Sequence, residues 1–172
     1  MTFKVEDGTG LPDATSYIDV AFADSYFVRT GFTAWAAMDD TAKENALMNA
    51  TEYADVRWGN RLSGTLLNPT QALQFPRSRL YDRYYRLQRG IPLNWKKAIC
   101  EYAMQSTKSP LMSDTPSSEA ALTKKKVTVG PITTEKEFAN PTAKGSFPSY
   151  PKADAFVKGY LTGSSGSRVI RN

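Results

Sequence analysis

The sequence predicts a mainly-α fold, a helical bundle with a short β-hairpin insertion and extended terminal arms. Three observations predict it. Between residues 17 and 107, apolar side chains recur at three- and four-residue steps in three long stretches, each bounded by cap or stop signals. Residues 124–138 alternate apolar and polar side chains instead, and Gly130-Pro131 interrupts the alternation. Glycine, proline and serine punctuate both ends of the chain.

The elements follow in order. Residues 1–15 read as an extended N-terminal arm broken by Gly8, Gly10 and Pro12. Ser16, with Asp19 three residues on, reads as the cap of a helix over 17–30 that Gly31 stops. An aromatic link carrying Trp35 leads to Thr41 and Glu44, a capping-box pattern opening a helix over 42–58, and Gly59-Asn60 ends it. Asn68-Pro69 predicts a short helical turn over 69–74, in which Leu73 and Phe75 plug the core and Pro76 fixes the exit. Pro92 opens a third long helix over 92–107 with Trp95, Ala98, Ile99, Tyr102 and Ala103 on one face. The helical core thus spans 16–107, loop and hairpin fill 108–150, a last helix occupies 151–162, and 163–172 form a Gly/Ser tail. Trp58, Trp95 and Cys100 read as core, and Lys124, Lys125 and Lys126 as a solvated strand edge.

Composition narrows the function classes. The 172 residues are 41% hydrophobic, enough for one domain with a core. No apolar run approaches the roughly 18–20 residues that span a bilayer, and the N-terminus carries no basic region followed by an apolar stretch. One cysteine excludes an internal disulfide framework and fits folding in a reducing cytoplasm. The chain has no histidine, which removes Ser-His-Asp and Cys-His sites and most zinc sites. Phosphate-loop and EF-hand spacings are missing too, so neither an enzyme nor a cofactor is expected.

Charge is polarised along the chain. Residues 1–56 hold three basic and ten acidic side chains, whereas 57–97 hold nine basic ones against Asp82 alone. The basic part centres on Arg77-Ser78-Arg79-Leu80-Tyr81-Asp82-Arg83-Tyr84-Tyr85-Arg86-Leu87-Gln88-Arg89-Gly90. If this segment is helical, Arg79, Arg83 and Arg86 share a face, as do Tyr81 and Tyr85. Arginine binds phosphate and tyrosine stacks on unpaired bases, so DNA contact is one reading. Contact with a neighbouring subunit and plain solvation are the others. Arg77, Arg79, Arg83, Arg86 and Arg89 are therefore candidate contact residues, together with Arg168, Val169, Ile170 and Arg171 of the tail.

Several motifs carry a resemblance. Gly10-Leu11-Pro12-Asp13-Ala14-Thr15-Ser16-Tyr17 leads into the first helix, and Ala50-Thr51-Glu52-Tyr53 precedes Trp58-Gly59. Gln71-Ala72-Leu73-Gln74-Phe75-Pro76-Arg77, Ile91-Pro92 and Val127-Thr128-Val129-Gly130-Pro131-Ile132 follow. In this order they resemble the head–tail connector and adaptor proteins of tailed bacteriophages, in a branch described as DnaT-like. The resemblance implies a structural virion protein of 1–172 as one connector domain, with no catalytic residues. It implies a homo-oligomeric ring, commonly of twelve copies, in the virion neck beneath the portal, assembled in the host cytoplasm. Its partners would be the portal protein, a tail or stopper protein and the genomic DNA in the channel, with no membrane. Acidic helices of one copy would then meet the Arg-rich segment of the next, and the tail would insert into a neighbouring ring. The alternative is a single-stranded-DNA-binding protein of phage replication.

Overall fold

A computed structural model describes residues 2–82, 84–112, 124–129, 132–137 and 147–162. The chain divides into two compact units, Met1–Leu111 with Ser149–Asn172, and Met112–Pro148. The described residues carry five α-helices and three two-stranded antiparallel ladders, so the mainly-α reading with hairpin insertions holds.

In the first unit, α1 is Val20–Thr30, α2 Thr33–Ala36, α3 Asp40–Trp58, α4 Leu93–Ser106 and α5 Pro151–Val157. One 3₁₀ turn, Gly59–Arg61, extends α3, and another, Lys158–Tyr160, extends α5. Helix α4 is the centre, packing along α3 on one side and α5 on the other. Its inward face buries Trp95, Ile99, Cys100, Tyr102 and Ala103 completely. Trp95 meets Phe75 at 4.7 Å between ring centroids and Tyr17 edge-on at 5.8 Å. Such pairs add about 0.5–1.5 kcal/mol each beyond the area they bury. The core tryptophans and the buried Cys100 sit where the periodicity placed them, and burial pushes the thiol of Cys100 far above its ordinary range.

Two helix starts differ from the sequence reading, each for a local reason. Helix α1 begins at Val20, because the Asp19 carboxylate accepts from the Phe22 N–H at 2.7 Å and caps it. Ser16 instead bridges Val5 in parallel, and Tyr17 and Ile18 enter the core through a bend. Helix α3 is capped by Asp39, which accepts from Ala42 N–H at 2.7 Å, and not by Thr41. Gly59 does not stop α3 in a left-handed conformation. The chain passes through it at φ −50°, and a Cβ there would approach the Gln74 side chain to 2.9 Å. Gly31, in contrast, does close α1 at φ 73°.

Residues 69–74 form a turn and bends instead of a helical turn, since the Asn68 carboxamide accepts from Thr70 N–H at 3.2 Å and turns the chain locally. The N-terminal segment is also no free arm. Lys4 donates its N–H to Thr15 Oγ1 at 2.8 Å, and the buried Glu6 carboxylate accepts from the N–H groups of Gly8, Gly10 and Leu11.

Strands β1, Thr65–Leu66, and β2, Arg77–Ser78, pair antiparallel, with Leu66 opposite Arg77. Gly64 precedes β1 at φ +77°, and a Cβ there would come within 2.4 Å of the Ser78 carbonyl oxygen. Gly64→Ala is therefore expected to cost at least ~1 kcal/mol, visible as a lowered midpoint in urea unfolding. The second unit contains strands β5, Lys124–Val129, and β6, Ile132–Glu137, in register from Lys124 opposite Glu137 to Val129 opposite Ile132. This is the hairpin that the alternating pattern and Gly130-Pro131 predicted.

In the first unit, Asp55 lies on α3. Its carboxylate accepts from the Tyr17 hydroxyl at 2.5 Å and from the Gln74 N–H at 3.0 Å. Burial raises its pKa from the ordinary 3.8 to about 7, against the opposing pull of those hydrogen bonds and of Arg77. Between about pH 4 and 7 the folded state thus holds a proton that the unfolded chain has released. This group's contribution to stability is present below that window and is lost as pH rises through it. The stability advantage of wild type over Asp55→Asn is therefore expected to shrink from pH 5 to pH 8 in thermal unfolding. A pH-independent difference would show that the carboxyl does not titrate there.

Candidate nucleic-acid interface

The Arg/Tyr segment is a hairpin, not a helix. Strands β3, Leu80–Tyr81, and β4, Leu87–Gln88, pair antiparallel with Tyr81 opposite Leu87. Alternation drives this locally, since Leu80 is fully buried while Tyr81 and Leu87 face outward. Asp82 organises the five-residue loop between the strands. Its carboxylate accepts from the N–H groups of Tyr84 (2.8 Å) and Arg86 (3.0 Å) and from Arg86 Nε (2.8 Å). Partial burial would raise its pKa, but these hydrogen bonds outweigh burial and hold the carboxyl below the usual aspartate value. The one acid of the basic segment is thereby spent on shape.

The loop displays what Asp82 holds. Tyr84 and Tyr85 are 62% and 88% exposed, and the Arg86 guanidinium lies 5.3 Å from the Tyr84 ring centroid. Arg79 and Tyr85 take left-handed backbone conformations, φ 54° and 60°. Each costs a non-glycine residue of order 1–3 kcal/mol, so the surrounding hydrogen bonds must impose them. The result directs arginine and tyrosine side chains away from the core.

Beside the hairpin lies a cleft of about 970 Å³. Arg79, Tyr81, Tyr84, Tyr85 and Arg86 form one wall, and the end of α5 with its 3₁₀ turn, including Phe156, Lys158 and Gly159, forms the other. The second wall is anchored on both sides. Asp154 on α5 accepts from the Tyr102 hydroxyl at 2.7 Å and from Arg57 at 2.7 Å. The Tyr160 carbonyl accepts from Ser63 N–H at 3.0 Å and Ser63 Oγ at 2.9 Å, and Leu161 bridges Leu62. Burial and then the charge of Asp82, which lines the same cleft, push the Tyr160 hydroxyl above its ordinary pKa.

The candidate residues separate cleanly. Arg79 and Arg86 line the cleft, and Arg89 is exposed just after β4. Arg77 is an internal clamp, donating to the carbonyls of Ser63 (2.9 Å), Gly64 (2.9 Å) and Gln74 (3.2 Å). Its donors are occupied, and it ties β2 to the loop that follows α3. Arg83, Arg168, Val169, Ile170 and Arg171 lie outside the described residues. Sequence reasoning missed Phe156 and Lys158, which stand some seventy residues from the hairpin with no local signal that they share its cleft.

No curated protein and no solved structure matches the chain. A family model does match, over residues 1–172, and its description is "Putative DnaT-like ssDNA binding protein". That match overturns the connector reading. The head–tail connector or adaptor assignment goes with it, and so do the ring beneath the portal, the DNA channel and the structural place in the virion neck. The alternative, single-stranded DNA binding, is what the family favours. From end to end, the chain belongs to the DnaT-like single-stranded-DNA-binding family.

Proposed function

We propose that this protein binds single-stranded DNA, without catalysis, on the hairpin of β3 and β4 and in the cleft beside it. The observation that carries the proposal is the pairing of exposed Tyr84 and Tyr85 with Arg79 and Arg86 at the cleft mouth. Unpaired bases offer π-faces to tyrosine, and the backbone offers phosphates to arginine; a duplex withholds the faces. The family match supports the same ligand.

Fluorescence anisotropy with a labelled oligothymidine strand, and with a duplex of the same length, tests this at two salt concentrations. Single strand is expected to bind more tightly. With Arg79, Arg86 and Lys158 on phosphates, log affinity should fall with log salt at a slope near about −2. Equal affinity for the duplex, or no binding at low salt, would overturn the proposal.

A further inference from the structure

We infer that the far wall of the cleft is a base-recognition site, where Phe156 stacks an unpaired base while Lys158 neutralises the adjoining backbone. The inference rests on the proposal that single-stranded DNA lies on the hairpin, and deepens it. Four observations carry it. Phe156 is half-buried, so it is fixed by packing yet still lines the cleft that Tyr81, Tyr84 and Tyr85 line from the other side. Lys97 Nζ lies 5.9 Å from the Phe156 ring centroid, and Lys158 lines the same wall and is exposed. The segment is held rigid by the Asp154 and Tyr160 hydrogen bonds. Gly159 leaves the wall open, since a Cβ there would meet nothing within 4 Å.

The chemistry follows from this placement. An aromatic face on each side of one cleft accepts a flat base between or across them. Cations on both sides, Arg79 and Arg86 against Lys158, suit a strand whose phosphates flank that base. The Asp82 carboxylate is engaged by Arg86 and two loop N–H groups, which lessens its opposition to the phosphates. A strand that only crossed the hairpin surface would use phosphate contacts and the loop tyrosines. A strand seated in the cleft must also use Phe156, so the cleft distinguishes a base-bearing strand from a bare sugar–phosphate backbone.

The test compares an oligothymidine strand with an abasic strand of the same length, for the full chain and three variants. Wild type should bind the thymidine strand at least about tenfold more tightly. Phe156→Leu keeps an apolar side chain at the packing site but removes the ring, and should weaken thymidine-strand binding about fivefold or more with the abasic strand unaffected. Gly159→Leu fills the cleft from a position with open space and should produce the same selective loss. Lys158→Gln should weaken both strands alike. If wild type binds neither strand, the proposed function fails and this inference with it. If wild type binds thymidine, but Phe156→Leu and Gly159→Leu bind it as tightly as wild type does, the inference is overturned while the proposed function stands.

Discussion

Asp154→Ala is expected to destabilise the protein by about 3–5 kcal/mol. Asp154 is buried at the junction of three helices. One oxygen accepts from the Tyr102 hydroxyl of α4 at 2.7 Å, and the other pairs with Arg57 of α3 at 2.7 Å. The second oxygen also accepts from the Tyr150 N–H at 3.3 Å, which closes the start of α5. Both side chains of the ion pair are about nine-tenths buried, so water cannot replace the carboxylate. Removing it takes the Asp154 charge away from a buried guanidinium and the acceptor away from Tyr102. Tyr102→Phe removes a neutral donor from Asp154 and the acceptor of the buried Trp58 Nε1–H at 2.9 Å, and should cost roughly 2 kcal/mol. For a domain of this size, the Asp154→Ala loss corresponds to a thermal midpoint lower by roughly 10 °C. A shift no larger than that of Tyr102→Phe would show that Arg57 finds another counter-charge and that the network is not the tie between α5 and the bundle.

That tie explains why part of the molecule was readable from sequence and part was not. Helices α3 and α4 announce themselves because their apolar positions repeat within the helix, so each turn confirms the last. The capping residues were harder. Ser16 and Asp19 both satisfy the local pattern, and only the pairing of Val5 with Ser16 removes Ser16 from competition. At α3 the cap is Asp39, whose carboxylate accepts from the Ala42 N–H, and not Thr41. Arg77 shows the limit for function. Its basic neighbours made it look like a contact residue, but carbonyls supplied by Ser63 and Gly64 turn it inward. Nothing within five residues of Arg77 encodes those carbonyls.

The hairpin shows a subtler failure. Arginines at 79, 83 and 86 fit a helical face by spacing alone, and the spacing is real. Two features decide against a helix: the in–out alternation of Leu80 and Tyr81, and an aspartate that can receive its own loop's N–H groups. An aspartate so placed offers the backbone a turn in exchange for helical hydrogen bonds. The cleft itself then forms between residues 79–88 and 155–162, a juxtaposition set by the packing of α4 against α5. The chemistry was visible in the Arg/Tyr composition, whereas the geometry that makes it a site required the fold. Family membership follows the same division, because cap and turn motifs common to many helical proteins pointed to a connector, and the match over the whole chain did not.

Replacing Tyr84 and Tyr85 together by alanine should produce the largest loss of single-strand affinity. Base–aromatic stacking is worth about 1–3 kcal/mol per base, so two rings removed should weaken binding by roughly 30-fold or more. The fold should survive, because Tyr85 is 88% exposed and the Asp82 hydrogen bonds that shape the loop go to backbone N–H groups and Arg86, none of which the substitutions remove. Unfolding free energy is expected within about 0.5 kcal/mol of wild type, apart from any share that Tyr84 contributes through the Arg86 contact. The paired phenylalanine variant retains both rings and should bind within a few-fold of wild type, which separates stacking from hydroxyl hydrogen bonding. Salt dependence supplies the control. The arginines remain, so the slope of log affinity against log salt should stay the same while the whole line drops. An unchanged affinity for the double alanine variant would remove the tyrosines from the interface. A changed slope in the double alanine variant would mean instead that the rings position Arg86 on a phosphate, making the loop an electrostatic device and not a stacking platform.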